Sequence, residues 1–420
     1  MKIQTLSNLY PPHVVGGYEV LCFHVMRHLS ERGHQVSVLT SNYGNGHADY
    51  PKQKIVRGLE LLAPRDNIYA PFTASEAERD AINRRNVAAL RETLSHEQPD
   101  VVFVWNLHFL APSFLEAIEQ ANVPTVYLLT DNWLAVFHKP RFVADYFSRL
   151  VYREASGGVK GFFKSRVRCL VRHRKREVKM AGTSVFPSRF MQDWYRQAGL
   201  AFERDTVIHH GILPSPQALS DSTVDRRRFI HAGELRLLVA GRIVPIKGVH
   251  TAIEAIPNIM KSFPNLRVSL KIIGDDRDRP YLDSLKKLIR DLKLDDKVSF
   301  GPPVPEAELP GVFQDRDMYL FPSLYEPFSL TLIHALRAGI PTVASKAGGT
   351  PEIVRHRNTG MLFEASNPVD LARQVICLAD DPALRSRVSR QGQQDANQLT
   401  FDRMVDQIEA CLLSTCRGQS

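Results

Sequence analysis

Cysteine is scarce in this chain. Its five residues (Cys22, Cys169, Cys377, Cys411, Cys416) are odd in number and scattered. No C-x-x-C pair and no Cys/His spacing of a zinc site occurs among them. Idle or buried thiols in a reducing compartment are the reading that fits. Long apolar runs are also missing, and none approaches the roughly 20 residues that cross a bilayer. The opening MKIQTLSNLYPP lacks a long apolar stretch before its two prolines, unlike a signal peptide. These absences set the expectation of a cytoplasmic protein, at most bound to a membrane surface. No G-x-G-x-x-G opens a domain, which argues against NAD or FAD, and no G-x-x-x-x-G-K-[ST] marks a P-loop.

What is present is a soluble globular composition: 44% hydrophobic and 24% charged over 420 residues. That length exceeds one ordinary core and predicts two domains or more. The net charge of +9 is unevenly spread. Lys139–Lys179 holds thirteen Lys/Arg against three acids, a local +10, so the remainder sums to −1. The basic character belongs to one segment.

Two stretches open alike. Lys2–Leu6 reads as a strand, Pro11, Pro12, Gly16 and Gly17 as a loop, Tyr18–Arg32 as a helix stopped by Gly33, and Gln35–Thr40 as a second strand. Leu235–Ala240, the loop Gly241–Gly248, a helix to about Lys261 and a strand Arg267–Gly274 repeat the pattern. Short apolar runs then alternate with helical periodicity: Val101–Val104 and Thr125–Leu129 in the first half, Val298–Phe300, Met318–Phe321 and Pro341–Ser345 in the second. Val/Ile/Leu-rich runs spaced by helices predict parallel sheets covered on both faces. The expectation is α/β: two doubly wound, Rossmann-like domains facing a cleft, with ligands beyond the carboxyl ends of the strands. The predicted boundaries are 1–210, 211–400 and a terminal helix 401–420 packing back on the first domain.

Two loops can carry chemistry. Gly241-Arg242-Ile243-Val244-Pro245-Ile246-Lys247-Gly248 puts a fork-shaped and a point cation before a helix N-terminus, where anions are favoured. It also reads as a solvated turn. In Pro322-Ser323-Leu324-Tyr325-Glu326-Pro327-Phe328-Ser329-Leu330-Thr331-Leu332-Ile333-His334-Ala335, a strand end is followed by Glu326, an N-cap at Ser329 and a helix ended by Gly339-Ile340-Pro341. The N–H groups at Ser329–Thr331 can hold a diphosphate, and Glu326 can accept from sugar hydroxyls. His334 lies about 6–8 Å further along the helix. A capped helix with a surface Glu is the plainer account.

Ser323–Ala335 resembles the E-x7-E signature of family 4 retaining glycosyltransferases. Gly16-Gly17-Tyr18-Glu19 is similar to their N-terminal Gly-Gly loop, and Gly241-Arg242 with Lys247-Gly248 to their phosphate-binding Arg and Lys. Pro187-Ser188-Arg189-Phe190, His210-Gly211-Ile212, Gly348-Gly349-Thr350-Pro351-Glu352 and Asn358-Thr359-Gly360 follow in the family's order, so the resemblance covers nearly the whole chain. It implies a GT-B fold, with a nucleotide-sugar held mainly by the C-terminal domain and an acceptor by the N-terminal one. Arg242 and Lys247 would neutralise the diphosphate, Glu326 would contact the donor sugar, and the backbone of Phe328, Ser329, Leu330 and Thr331 would meet phosphate. Gly301 would lie near the nucleobase, and Gly16 and Gly17 would border the donor. The resemblance implies no metal or other cofactor, because Arg, Lys and a helix N-terminus replace the cation.

Three positions depart from that pattern. His334 stands where the second Glu is expected. Neutral imidazole offers one donor and one acceptor, so a two-point grip on ribose is lost. Weaker nucleotide binding or a 2′-deoxyribose donor is the expectation. Trp105 stands where many relatives have His; His108 could enter the cleft instead, or be a satisfied surface His. Thr130-Asp131 replaces a frequent His-Asp. Asp131, at a strand's carboxyl end, suits an acceptor hydroxyl or ordinary helix capping. Glu326, His108 and Asp131 are the candidate catalytic groups.

Val159–Met180 interleaves Phe163, Val167 and Leu170 with Lys/Arg at helical spacing. It reads as a core-facing helix with a basic outside, or as an interfacial helix on an anionic membrane surface. Nucleic acid is not expected, since base-stacking platforms are missing. The conclusion from sequence is a retaining, metal-independent hexosyl-type transferase. Its partners are a nucleoside-diphosphate sugar and the hydroxyl of a sugar, lipid-linked glycan or small hydrophobic acceptor. A catalytically decayed nucleotide-sugar-binding partner subunit is the alternative.

Overall fold

The computed structural model describes residues 1–44, 48, 50–65, 67–68, 70–152, 177–213 and 233–418. It separates into two compact units: Met1–Phe147, Ser156–His209 and Arg403–Ser420 form one, Ser148–Ala155 and His210–Asp402 the other.

The first unit carries a seven-stranded sheet: β1 (Lys2–Ser7), β2 (Gln35–Ser41), β3 (Gln53–Leu59), β4 (Val101–Asn106), β5 (Thr125–Leu128), β6 (Val178–Phe186) and β7 (Leu200–Val207). Their order is β3-β2-β1-β4-β5-β6-β7. Every pairing is parallel; β1 is in register with β2 at Ile3–Val36 and with β4 at Ile3–Val101. The second unit has β8 (Glu234–Ala240), β9 (Arg267–Ile273), β10 (Val298–Gly301), β11 (Met318–Phe321), β12 (Thr342–Ser345) and β13 (Met361–Phe363) in the order β10-β9-β8-β11-β12-β13, again all parallel. Both sheets reverse strand order beside their first strand. Loops leaving neighbouring strands there run to opposite faces and open a crevice.

Continuous apolar strands follow from helices on both faces. In β8, Leu235, Leu237 and Val239 join one core cluster, while Leu238 and Ala240 join the other. In β11, Met318 and Leu320 alternate the same way with Tyr319 and Phe321. The first cluster is closed by Val249, Ile253 and Ile256 of the helix Val249–Ser262, the second by Leu332, Ile333 and Leu336 of the helix Leu330–Arg337. Burying one such side chain is worth about 1.5–3 kcal/mol, so strand ends are held rigidly where loops depart. The terminal helix Phe401–Arg417 bonds to the first unit: Glu409 takes Arg32 and His34, the latter at 2.7 Å, and Thr415 meets Thr183 at 2.9 Å.

The helical reading of Val159–Met180 is corrected at its end. Val178–Met180 begin β6, where Met180 is buried and Val178 pairs with Leu200. An edge of alternating basic and apolar residues satisfies period 2 as readily as period 3.6 over three residues. Residues 159–176, which carried the membrane-surface expectation, lie outside the described residues. Among the described residues, no helix is long and apolar enough to cross a membrane.

Candidate active site

In the second unit, the reversal falls between β8 and β11, and both chemistry-bearing loops leave from there. After β8, Ile243 N–H donates to the Asp275 carbonyl at 2.8 Å, and a short 3-10 turn Pro245–Lys247 ends at Gly248. Gly248 has φ +63°, and a Cβ there would sit 2.2 Å from the Pro322 carbonyl oxygen. Only glycine lets the two loops close on each other. Leu324 N–H then donates to the Ile246 carbonyl at 2.8 Å. This contact places the Lys247 ammonium 2.6 Å from a Glu326 carboxylate oxygen. Glu326 is only 7% exposed. Either charge alone at that depth would be costly, which is why they are found as a pair.

The Glu326 backbone is clamped as well. Its carbonyl accepts from Gly349 N–H at 2.7 Å, and Gly348 (φ +59°) leaves no room for a side chain, since a Cβ would lie 2.2 Å from the same oxygen. Ser329 caps the helix Leu330–Arg337 by accepting from Leu332 N–H at 3.2 Å. The N–H groups of Leu330 and Thr331 precede the helix's own hydrogen-bond ladder and point out of its end. Phe328 is buried against His210, so its backbone alone can face a ligand. Arg242 is exposed at the start of the first loop. Asp275 lies beside it, its carboxyl held below the usual range by the Arg277 guanidinium and also by Arg242. Gly301 ends β10, the edge strand two places from β8. His334 is buried and holds Glu306 through Nε2 at 2.7 Å.

In the first unit the reversal lies between β1 and β4. Gly16 and Gly17 are exposed at the start of the helix Gly17–Glu31. Glu19, 5% exposed, accepts from Gly16 N–H at 2.9 Å, and burial pushes its carboxyl up. The Tyr18 hydroxyl donates to the Trp105 carbonyl, and its ring packs edge-on against Trp105 at 5.4 Å. At the ends of β4 and β5, Asn106 is a two-sided link: its amide donates to Asp131 at 2.9 Å, and its oxygen accepts from His108 N–H at 2.8 Å. Asp131 also accepts from Trp133 N–H at 3.0 Å. Burial pushes the Asp131 carboxyl up, while nearby His108 opposes that shift. His108 Nδ1 is buried with no hydrogen-bond partner among the described residues.

Two family descriptions match consecutive parts of the chain. "Glycosyltransferase Family 4" matches residues 15–215, and "Glycosyl transferases group 1" matches residues 221–395. Both parts of the chain thus match glycosyltransferase descriptions, and the fold is that of the GT-B enzymes. An uncharacterized glycosyltransferase of Methanocaldococcus jannaschii is 24% identical over 94% of this chain and 93% of its own. Sucrose-phosphate synthase from Thermosynechococcus elongatus has the same fold, at TM-score 0.72 and 18% identity over the whole of both chains. Anabaena HepE, whose structure holds UDP-glucose, superposes at TM-score 0.63 with 22% identity, covering 99% of this chain and 100% of its own.

The glycosyltransferase thus carries its expected residues in two sets. Lys247 and Glu326 touch, with Ser329, Leu330 and Thr331 following on the same loop and helix; Arg242 and Gly301 sit at strand ends of the same sheet. Gly16, Gly17, His108 and Asp131 belong to the first unit. The Asp131 carboxylate accepts from the Asn106 amide and from Trp133 N–H. Sequence reasoning missed Glu19, Asn106 and Glu306. Glu19 had a signal, a carboxylate three residues after the capping glycine in a first helical turn. Asn106 and Glu306 act through partners 25 and 28 residues away, which no local pattern encodes.

Proposed function

We propose that this glycosyltransferase moves a hexosyl group from a nucleoside diphosphate to an acceptor hydroxyl with retention of anomeric configuration. The observation that carries this reading is the Lys247–Glu326 pair set at the strand-order reversal, directly before the helix N-terminus at Leu330. A diphosphate needs cations and N–H donors, and a hexose needs a carboxylate for its hydroxyls. That loop pair supplies all three: Lys247 from one loop, Glu326 and the N–H groups of Leu330 and Thr331 from the other.

In this reading Arg242, Lys247 and the Leu330 and Thr331 N–H groups stabilise the charge that develops on the departing diphosphate. Lys247 shares its protons between Glu326 and a phosphate oxygen, and Glu326 accepts from sugar hydroxyls. The bond from the anomeric carbon to phosphate oxygen breaks, and the acceptor oxygen bonds to the same face of an oxocarbenium-like centre. The acceptor's proton passes to the departing phosphate. Asp131, with His108 beside it, accepts from the incoming hydroxyl and aims it. In this reading Arg242 and Lys247 supply the positive charge that a metal would otherwise bring, and turnover is metal-independent. The acceptor is a sugar, a lipid-linked glycan or a small hydrophobic alcohol.

The test is a thermal-shift panel of nucleotide-sugars, since ligands that bind the native state raise its melting temperature. Turnover of the stabilising donor is then followed with candidate acceptors in the presence of EDTA, and the product anomer is read by NMR. An inverted anomer would remove the retaining assignment, and loss of turnover with EDTA would remove the metal-independent one.

A further inference from the structure

We infer that Asn106 is a positioning residue of the acceptor site. Its two-sided amide sets the Asp131 carboxylate and the His108 loop in one arrangement and keeps that carboxylate an acceptor toward the incoming hydroxyl. The inference rests on the acceptor role proposed for Asp131 and deepens it.

The side chain owes its direction to a bulge in β4. Val104 pairs with Leu6, but the next pairing joins Asn106 to Ser7, so Trp105 has no opposite residue on β1. One extra residue re-aims the side chains that follow it. The Trp105 carbonyl accepts from the Tyr18 hydroxyl, and the Asn106 carbonyl accepts from Asn8 N–H at 2.8 Å. With its main chain fixed and only 6% of its surface exposed, Asn106 turns its amide toward the end of β5.

Chemistry decides which end of the amide meets which partner. His108 N–H, 2.8 Å away, can only donate, so it faces Oδ1. Nδ2 is thereby committed to Asp131 at 2.9 Å. The other Asp131 oxygen takes Trp133 N–H at 3.0 Å. Asp131 is partly exposed, and about four lone-pair sites over two oxygens leave it room for a ligand hydroxyl.

The loop beyond β4 is held as firmly. Leu110 N–H donates to the Leu107 carbonyl at 3.0 Å, and Leu62 N–H to the Phe109 carbonyl at 2.7 Å. Phe109 has φ +67°, a left-handed conformation that a bulky residue adopts only when its surroundings impose it. Asn106 joins this constrained loop to Asp131.

The same contact acts on the proton. Burial pushes the Asp131 carboxyl up, and His108, Trp133 N–H and the Asn106 amide oppose the rise. The titratable groups facing it are His108 after β4, and Glu19 and Tyr18 on the helix Gly17–Glu31. Tyr195, on the helix Arg189–Gln197, donates to the Asp131 main-chain carbonyl at 2.6 Å. An N–H aimed at a carboxylate stabilises its charged form, so Asn106 widens the pH range over which Asp131 accepts.

Steady-state kinetics across pH, with the donor and acceptor that turn over in the panel above, test this. Asn106→Asp keeps an acceptor for His108 N–H and puts a second negative group where the amide N–H was. It should lower kcat/KM for acceptor by about tenfold and leave donor KM within about twofold. The acid limb of the acceptor profile should move up by about one pH unit or more. The exchange Asn106→Asp/Asp131→Asn rebuilds the hydrogen bonds with the carboxylate on the other residue. It should restore Tm while acceptor kcat/KM stays low, and it reads the role by itself where Asn106→Asp loses stability. Recovery of both Tm and acceptor kcat/KM by the exchange overturns the inference, since the amide would then only hold the fold. Unchanged acceptor kinetics and an unmoved acid limb in Asn106→Asp overturn it too. If Asp131→Ala is impaired while Asn106→Asp is not, only the positioning role falls. Wild-type acceptor kinetics in Asp131→Ala overturn the acceptor role itself.

Discussion

The two sheets of this molecule reverse strand order at the same relative place, but the groups set there differ in kind. In the second unit, opposite charges meet across two loops: Lys247 on Glu326, with Arg242 beside Asp275. In the first, Glu19 and Asp131 are bonded mainly to neutral donors, with the Tyr18 phenol alongside, and burial raises both carboxyls. Equal topology therefore fixes where a site forms and leaves its chemistry to the loops. Under the proposed function, the set with cations serves a ligand of changing charge, the leaving diphosphate. A set of buried acceptors suits a neutral hydroxyl.

The comparison breaks most sharply at Lys247. Lys247→Ala should lower kcat/KM for donor by about 100–1000-fold, the scale of removing one group aimed at developing charge. Acceptor KM should change little. Lys247 and Glu326 act as a unit, so Lys247→Ala/Glu326→Gln should cost far less than the sum of the single changes. Steady-state kinetics on the three variants measures this; strict additivity would mean that the pair is only a structural ion pair.

Asp131 gives the mirror result. Asp131→Ala removes a buried hydrogen-bonding group and should lower kcat/KM for acceptor by about tenfold. Donor binding, measured by titration with UDP, should stay within about twofold of wild type. Weakening of both to the same extent would dissolve the division of labour between the two units.

How far the sequence carried this picture depended on the range of the signal. The doubly wound fold was legible because β8 and β11 alternate between two cores over a few residues, a pattern local enough to read. Lys247 and Glu326 were legible singly, each at a strand-to-helix turn. Their contact was not, since it depends on Gly248 letting the Pro322 carbonyl approach, 74 residues away. The contact of His334 with Glu306 was hidden for the same reason, since the two lie 28 residues apart on separate segments. Val178–Met180 read as helix because a three-residue overlap with a basic stripe hid the first positions of β6.

A smaller effect separates the glycines of the two loops. Gly348→Ala must adopt φ +59° and place a Cβ 2.2 Å from the Glu326 carbonyl oxygen. The left-handed conformation alone costs about 1–2 kcal/mol, and Tm should fall by about 2–8 °C or more. Gly16 is extended at φ −155°, and a methyl group added there would meet nothing within 4 Å, so Gly16→Ala should leave stability within about 0.5 kcal/mol. Scanning calorimetry compares them. A loss of activity in Gly16→Ala without loss of Tm would mark close approach of a ligand to that exposed turn.

The smallest effect is one of sign. Asp131 has its carboxyl raised above its ordinary 3.8 by burial, so the native state keeps a proton that the unfolded chain has already released. Its contribution to stability is complete below that ordinary value and is lost as pH rises through the raised one. Asp275 has its carboxyl lowered by Arg277 first and Arg242 among the rest. Its contribution is present above 3.8 and lost as pH falls through the lowered value. The Tm difference between wild type and Asp131→Asn should therefore shrink or change sign as pH increases from about 4, while that for Asp275→Asn should grow as pH increases through the acid range and then level off. Melting curves across pH read both slopes from the same preparations. Parallel curves for Asp131→Asn would mean that its carboxylate is already ionised at no cost, and the first unit's set would then be a second charged site rather than a neutral one.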